Sequence, residues 1–339
     1  MDKVINFSDS KIIPRAYGGS NKKFRVLYNG EYYMLKFTEE HIRKTNLSSS
    51  HENNVVSEYI SSHISQSIGL PTQSTVLGTY KNDEICVGCK DFRKPYEENI
   101  DFKNFLQIIY NKSDVKKTPK IFQIYEVIWD EAFPEYLRVS AIERFWDTFI
   151  IDALVGNSGR YIDSWGLLFN KINETYSLAP VYDYGNSLFP IISDEDIKDV
   201  MGDKFEMAER ILLVPPATLY ITAEKSGKVG YYDMLSSNFD ENCTKSLLKI
   251  FPQINLNKIN EIIDETPLIS NIRKAFYKNI IHARYHIVLE KAYDLCIQQT
   301  YDSEALKRIT TGNSFTKNDI DELIKNNVID SFYLIPQSE

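Results

Sequence analysis

Residues Gly156 to Gly185 read GNSGRYIDSWGLLFNKINETYSLAPVYDYG, and the order of elements in this stretch decides the fold. The residues before it, from about Ala141 to Val155, are apolar on one face through Phe145, Phe149 and Leu154, and Gly156-Asn157 supplies the stop that ends a buried helix. A polar loop, GNSGRYIDS, follows. WGLLFN (Trp165 to Asn170) and YSLAP (Tyr176 to Pro180) are short runs separated by turn-forming residues, which predicts two strands. Helix, loop, hairpin and then Asp183 is the order that matters.

Upstream, FRVLY (Phe24 to Tyr28) and EYYMLKF (Glu31 to Phe37) alternate and are rich in strand formers, and Asn29-Gly30 between them suits a two-residue type I′ turn. From Asn53 to Ile68 the residues Val55, Val56, Tyr59, Ile60, Ile64 and Ile68 recur at helical spacing, and Gly69 with Pro71 ends the run. STVLGTY (Ser74 to Tyr80) and EICVGCK (Glu84 to Lys90), joined by Lys81-Asn82-Asp83, predict a second antiparallel pair. The order is β-β-α-β-β over residues 1–92. Past Phe92 a polar stretch, DFRKPYEEN, gives way to longer helical patterns. Residues 93–339 are therefore expected to form a second, mainly helical unit. Its helices include Lys258 to Asp264 and Ile269 to Ile297, with a break at Pro215-Pro216. The expected class is α+β.

At 339 residues, 43% hydrophobic and 25% charged, the chain is globular in composition, which excludes a disordered or fibrous protein. The 47 acidic and 39 basic side chains leave a formal charge of -8 and a pI near 5.4, which argues against nucleic acid or acidic lipid as the main partner. No run reaches the roughly eighteen apolar residues of a membrane span. The N-terminal MDKVINFSDS lacks the apolar core of a signal peptide, so a cytoplasmic location is expected. Cys86, Cys89, Cys243 and Cys296 are too scattered for a disulfide framework, and reduced thiols are expected. Cys86 and Cys89 form a C-x-x-C, but they sit in a strand-like run with no second pair to complete a zinc site. His282 and His286 stand at i and i+4 without the acid of a zincin motif and are read as surface residues.

Some residues of these elements suggest a polar site. YGGSNKKF (Tyr17 to Phe24) places Gly18, Gly19 and Ser20 ahead of the first strand, where bare backbone N–H groups could approach phosphates, although a plain turn explains the same residues. Lys36 lies in an apolar setting, MLKF, where a lysine is costly to bury without an anionic partner. Glu58, among apolar neighbours on the following helix, is the candidate. Taken alone, an exposed strand lysine and an exposed helix glutamate account for both.

SEYISSHISQSIGLP, TVLGTY, CKDF, DALVGN, WGLLF and LAPVYDYGNSLFP together resemble the HipA-like serine/threonine kinases, in their short cell-translocating kinase A branch. The similarity runs from about Asn6 to Ala292. It implies a bilobal protein-kinase-like fold, with a small antiparallel β lobe carrying one helix and a large, mainly helical lobe. It also implies ATP and Mg2+ as cofactors. Lys36 and Glu58 would then be the pair that holds the α- and β-phosphates, with Gly18, Gly19 and Ser20 close by. Cys89 and Asp91 of CKDF would lie at the hinge between lobes, the backbone meeting adenine and Asp91 the ribose. Asp183 of LAPVYD would bind the metal.

One loop departs from the family. Its catalytic loop reads like G-N-x-D-R-H-x-G-N-x-G, whereas residues 156–166 here read G-N-S-G-R-Y-I-D-S-W-G. Gly159 stands where the family has its base, Tyr161 where it has histidine, and Ser164 where it has the asparagine that ligates a second magnesium. General-base assistance contributes roughly 10²- to 10⁴-fold, and glycine has no side chain to supply it. Asp163 is the nearby carboxylate, either a substitute base or a solvated loop residue. Two functions are in view. The first is a nucleotide-binding pseudokinase with impaired or lost phosphoryl transfer, acting through a protein partner. The second is an active Ser/Thr kinase or other ATP-dependent transferase, using Asp163 or substrate-assisted deprotonation. A structural module that binds no nucleotide is the third and weakest. The resemblance also points to a small antitoxin-like partner, as in toxin–antitoxin modules. SSSHENN (Ser48 to Asn54) is either a mobile loop carrying phosphosites or a polar linker.

Overall fold

The computed structural model describes residues 4–14, 22–38, 40–42, 49–51, 53–113, 115–221, 227–313 and 315–325. Gly18, Gly19 and Ser20 lie outside the described residues, as does part of the SSSHENN stretch. In the N-terminal part, strands β1 (Ile5–Asn6), β2 (Lys11–Ile13), β3 (Lys23–Tyr28) and β4 (Glu31–Phe37) are followed by the short β5 (Glu40–Ile42) and β6 (Ser49–His51), helix α1 (Asn54–Ser67), β7 (Thr75–Tyr80) and β8 (Glu84–Lys90). Six of these strands make one sheet in the order β1-β7-β8-β4-β3-β2, and β5 pairs with β6. The expected hairpins are both present, with Tyr28 opposite Glu31 and Tyr80 opposite Glu84. Asn29 and Gly30 carry φ of 49° and 81°, the signs that a type I′ turn demands and that let the strand twist continue through the turn. The expected order did not include β1, β2, β5 and β6, which at two or three residues each are too short to show alternation.

Alternation along the strands sorts the sheet into two faces. Val26, Tyr33, Leu35, Phe37, Tyr80 and Cys86 close around the fully buried Phe7 on one side. On the other side Leu77, Val87 and Cys89 meet the apolar stripe of α1, built from Val55, Val56, Tyr59, Ile60, Ile64 and Ile68. Each such aliphatic side chain, fully buried, contributes roughly 1.5–3 kcal/mol, which is why the stripe fixes the rotation of α1 and the direction in which Glu58 points. Gly78 permits the parallel pairing of β1, since a Cβ there would come within 2.6 Å of both the Ile5 carbonyl oxygen and the Phe7 ring.

The two cysteines of the C-x-x-C therefore look to opposite faces of β8, and all four thiols are free. Burial pushes the Cys86 thiol up to about 12 and that of Cys89 higher still, so both are inert neutral packing groups.

The C-terminal part centres on α4 (Arg138–Val155), which follows α2 (Phe102–Ile109) and α3 (Ile121–Trp129) and is buried along most of its length around Trp146. It stops where expected, at Gly156 in the left-handed region. A three-stranded sheet, β11 (Thr175–Leu178), β10 (Gly166–Asn170) and β9 (Glu97–Asp101), lies beside it. Here the sequence reading needs a correction, because β9 belongs to a stretch taken as a polar connection. Its residues are Glu97, Glu98, Asn99, Ile100 and Asp101, poor strand formers that are extended because β10 pairs with them, Gly166 opposite Asp101. The approach is so close that a Cβ on Gly166 would overlap the Ile100 carbonyl oxygen.

The long helix expected from Ile269 to Ile297 is also more varied than periodicity suggested. Asn271–Ala283 and Lys291–Ile297 are α-helical, but Arg284–Glu290 is wound as a π-helix. Arg284 is fully buried in that segment and donates to the carbonyls of Ala153, Arg210 and Val214. Without a carboxylate nearby, burial lowers its pKa to about 10. His282 bonds Asn260 of the preceding helix, Leu256–Glu265, and His286 bonds Glu290 one turn along its own segment. Among the described residues no helix is long and apolar enough to cross a membrane.

Candidate functional site

A cleft of about 460 Å³ opens between the sheet and the helical part. Lys36 enters it from β4, on the face of the sheet that also carries Met34 and Cys89. Its ammonium donates to Glu58 Oε2 at 2.8 Å and to Asp183 Oδ1 at 3.0 Å. Burial works against the charge, but the two carboxylates outweigh it and hold Lys36 well above the ordinary lysine range. Glu58 is 1% exposed and fully engaged: its other oxygen accepts the Tyr184 backbone N–H at 3.0 Å. One glutamate thus ties α1 to the sheet and to the segment after Asp183.

Asp183 sits just past Val181, which forms an isolated parallel bridge with Thr72 ahead of β7, the Val181 amide bonding the Pro71 carbonyl and its own carbonyl accepting from the Gln73 amide. The aspartate adopts φ 69°, a left-handed geometry that Asp takes more readily than most non-glycine residues. Its Oδ2 accepts the Ser164 hydroxyl at 2.8 Å. Burial favours the protonated form, yet Lys36, Ser164 and Arg160 prevail and keep the carboxyl well below the usual range. It keeps 39% of its side chain open to the cleft. Magnesium is commonly held by one or two carboxylates together with water and substrate phosphates, and the open Asp183 carboxylate with the Ser164 hydroxyl fits that mode. Among the described residues no group of three or more His, Cys, Asp or Glu forms a metal cage.

The loop from Gly156 to Gly166 is held by buried polar chemistry. Arg160 grips both oxygens of Asp152, at 2.9 and 3.0 Å, and also donates to the carbonyls of Ser164 and Tyr182. Asn157 donates to Asp152 and accepts from the Gly159 N–H, each at 2.9 Å. Arg160 therefore fastens the loop to the strand exit that carries Asp183, with its guanidinium stacked over the Tyr184 ring. Gly159 presents no functional group. Asp163 lines the same cleft, together with Asn99, Asp101, Lys117, Tyr161 and Tyr182.

Asp101 and its neighbours escaped the sequence reading, because their place in the cleft depends on β9. Asp101 accepts from Asn99 at 2.7 Å and from the Tyr182 hydroxyl at 3.0 Å, both on Oδ1. Burial, with the charge of Asp163 behind it, raises its pKa from 3.8 to about 6. The folded protein then keeps a proton on Asp101 between about pH 3.8 and 6 that the unfolded chain has already lost, so stability falls as pH rises through that window. Asp101→Asn should flatten that slope and melt higher than wild type at pH 7.5. Parallel melting curves from pH 4 to 8 would refute it.

At the junction of the two parts, Cys89 is buried and Asp91 is spanned by Arg25 at 2.9 Å and by Arg93 at 2.8 Å. The Lys90 and Asp91 amides bond Ser74 and Tyr32, and the Lys90 carbonyl accepts from Gln73. A ribose contact by Asp91 would share a carboxylate already held by two guanidinium groups.

A strand lysine that bridges a helix glutamate and a strand-exit aspartate, beside a helix-capping loop, defines a protein-kinase-like cleft. No family model matches the chain. It is 34% identical over 290 residues to the serine/threonine-protein kinase CtkA of Helicobacter pylori, spanning 85% of this chain and 87% of that relative. The crystal structure of a Helicobacter pylori proinflammatory kinase CtkA superposes with a TM-score of 0.81 at 33% identity, covering 88% of this chain and 100% of that one. HipA of Shewanella oneidensis MR-1, solved with HipB and operator DNA, gives a TM-score of 0.44 at 14% identity over 83% of this chain and 67% of that chain. The chain belongs to the family of the serine/threonine-protein kinase CtkA.

Proposed function

We propose that the cleft binds ATP with Mg2+ and that Ser/Thr phosphoryl transfer is impaired or lost, leaving a pseudokinase that acts by engaging a protein partner. The observation that carries this reading is the contrast within one cleft: Lys36, Glu58 and Asp183 are assembled, while Gly159 stands where the family's base would be. In this reading Lys36 meets the α- and β-phosphates, and Gly18, Gly19 and Ser20 approach them from before β3. Cys89 and Asp91 mark the hinge, Asp183 and Ser164 take the metal, and the chain divides into lobes at residues 92 and 93. A cytoplasmic location and a small antitoxin-like partner belong to the same reading.

A second reading, an active Ser/Thr kinase or another ATP-dependent transferase, is favoured by the Asp101 and Asp163 carboxylates that share the cleft, one of them with a pKa raised to about 6, in the range useful to a general base. Melting with and without MgATP, joined to intact mass measurement of the protein and a generic acceptor, separates the two. The first reading expects a MgATP-dependent rise in melting temperature that Asp183→Ala removes, and no added mass. A phosphoryl or nucleotidyl mass that Asp183→Ala abolishes would establish the second. No thermal response to MgATP would end both.

A further inference from the structure

Gly159 is not merely empty, since a side chain from elsewhere has taken its room. A Cβ built on Gly159 would lie 2.7 Å from Asn186 Cβ and 2.8 Å from Asn186 Cγ, with the amide nitrogen closer still. Asn186 is exposed and its amide could turn aside, but its Cβ is fixed to the backbone, and a 2.7 Å approach of two Cβ atoms is overpacking that rotation does not relieve. Nor is the asparagine free to retreat with its backbone. Its carbonyl accepts the Ser158 N–H and hydroxyl, each at 3.2 Å. The residues on either side are anchored, Ser187 N–H to the Tyr184 carbonyl at 3.0 Å and Leu188 N–H to the Val155 carbonyl at 2.9 Å. Both the side chain and Asp183 line the cleft.

We infer that Asn186 is the residue occupying the place of the missing base, where its carboxamide positions an acceptor hydroxyl without taking its proton. The inference rests on the proposed nucleotide cleft and deepens it by naming what faces the acceptor. An amide side chain both donates and accepts hydrogen bonds, so it can hold a Ser or Thr hydroxyl, but it stays neutral and is no base at neutral pH. Gly159 and Asn186 are then an interlocked pair, the glycine being what admits the amide. An aspartate restored at 159 alone meets a filled site. The carboxylate is returned instead by Asn186→Asp, which changes one atom group and no volume. With that variant the acceptor oxygen bonds to the γ-phosphorus, and the bond from that phosphorus to the β–γ bridging oxygen breaks, its electron pair leaving on ADP. The hydroxyl proton passes to the new carboxylate.

Four proteins test the pair: wild type, Gly159→Ala, Gly159→Ala/Asn186→Gly and Asn186→Asp. Gly159 is not among the glycines with positive φ, so alanine is refused there for space and not for backbone conformation. Without ligand, Gly159→Ala should melt several degrees below wild type, and the double variant should recover most of that loss. An alanine variant as stable as wild type, or a double variant with no recovery, overturns the interlock. With MgATP and a generic protein acceptor, Asn186→Asp should transfer phosphoryl groups at least about tenfold faster than wild type, a modest share of the roughly 10²- to 10⁴-fold that a base supplies. The gain should titrate with pH as a carboxylate and vanish with Asp183→Ala. Asn186→Asp that gains MgATP-dependent thermal stability but no transfer overturns the positioning role. Absence of any thermal response to MgATP in all four overturns it too, through the nucleotide reading on which it stands. The ligand-free melting still decides the interlock.

Discussion

Replacing Arg160 by methionine should cost the fold about 3–5 kcal/mol, the loss typical when one partner of a buried ion pair is removed. Asp152 is 1% exposed and would keep Asn157 as its donor, but its charge would have no cation. The carbonyls of Ser164 and Tyr182 would each lose a donor as well. Spread over a chain of this length, that loss should lower the melting temperature by about 10 °C. Arg160→Lys should recover little, because an ammonium cannot grip both carboxylate oxygens and reach two carbonyls from one plane. The damage should also spread to the cleft, since the same guanidinium fastens the loop to the strand exit of Asp183. Melting with and without MgATP reads both effects. A loss under about 1 kcal/mol would mean that the network is ornamental.

Lys36→Met should be the second most damaging change, and its effect should depend on pH. The Nζ group neutralises two carboxylates at once, and methionine leaves them facing each other at the edge of the core. In the wild type the pair with Asp183 is fully present above the unfolded aspartate value near 3.8 and is lost only as pH falls through the lower folded value. In the variant the carboxylates left behind gain by taking up a proton in the folded state, so its stability declines as pH rises. The gap between the two proteins should therefore widen from acid to neutral pH, reaching about 3 kcal/mol at pH 8. Lys36→Met/Glu58→Gln should narrow it again. Chemical denaturation at pH 5 and pH 8 checks this, and a gap that does not change with pH would show that packing of the lysine stem, and not its charge, had been lost.

What could be read from the sequence is what short-range rules govern. The two hairpins, the stripe of α1 and the stop at Gly156 follow from alternation, turn chemistry and helical spacing within a few residues, whereas the pairing of Lys36 with Glu58, 22 residues apart, was a candidate that family resemblance singled out. Asp183 was legible as a strand-exit residue and gained its role only from family resemblance. The rest depends on partners distant along the chain. Strand β9 exists because Gly166 lets β10 come close, and with it come Asn99 and Asp101. The π-helix at Arg284–Glu290 goes with Arg284 reaching three carbonyls of other segments. No spacing rule predicts that Asn186 would lie against Gly159, because the two residues meet across a fold and not along an element.

Cys86 and Cys89, three residues apart on one strand, have a use that follows from their opposite outlooks. Each is a protonated sulfhydryl sealed in a different compartment, so neither reacts until its own compartment opens. The first gauges exposure of the cluster around Phe7, and the second gauges opening of the cleft face, where Cys89 lies beside Lys36 and under α1. A single strand thus carries two clocks, and they would run at different speeds if the cleft face of the sheet opened while the face around Phe7 stayed shut.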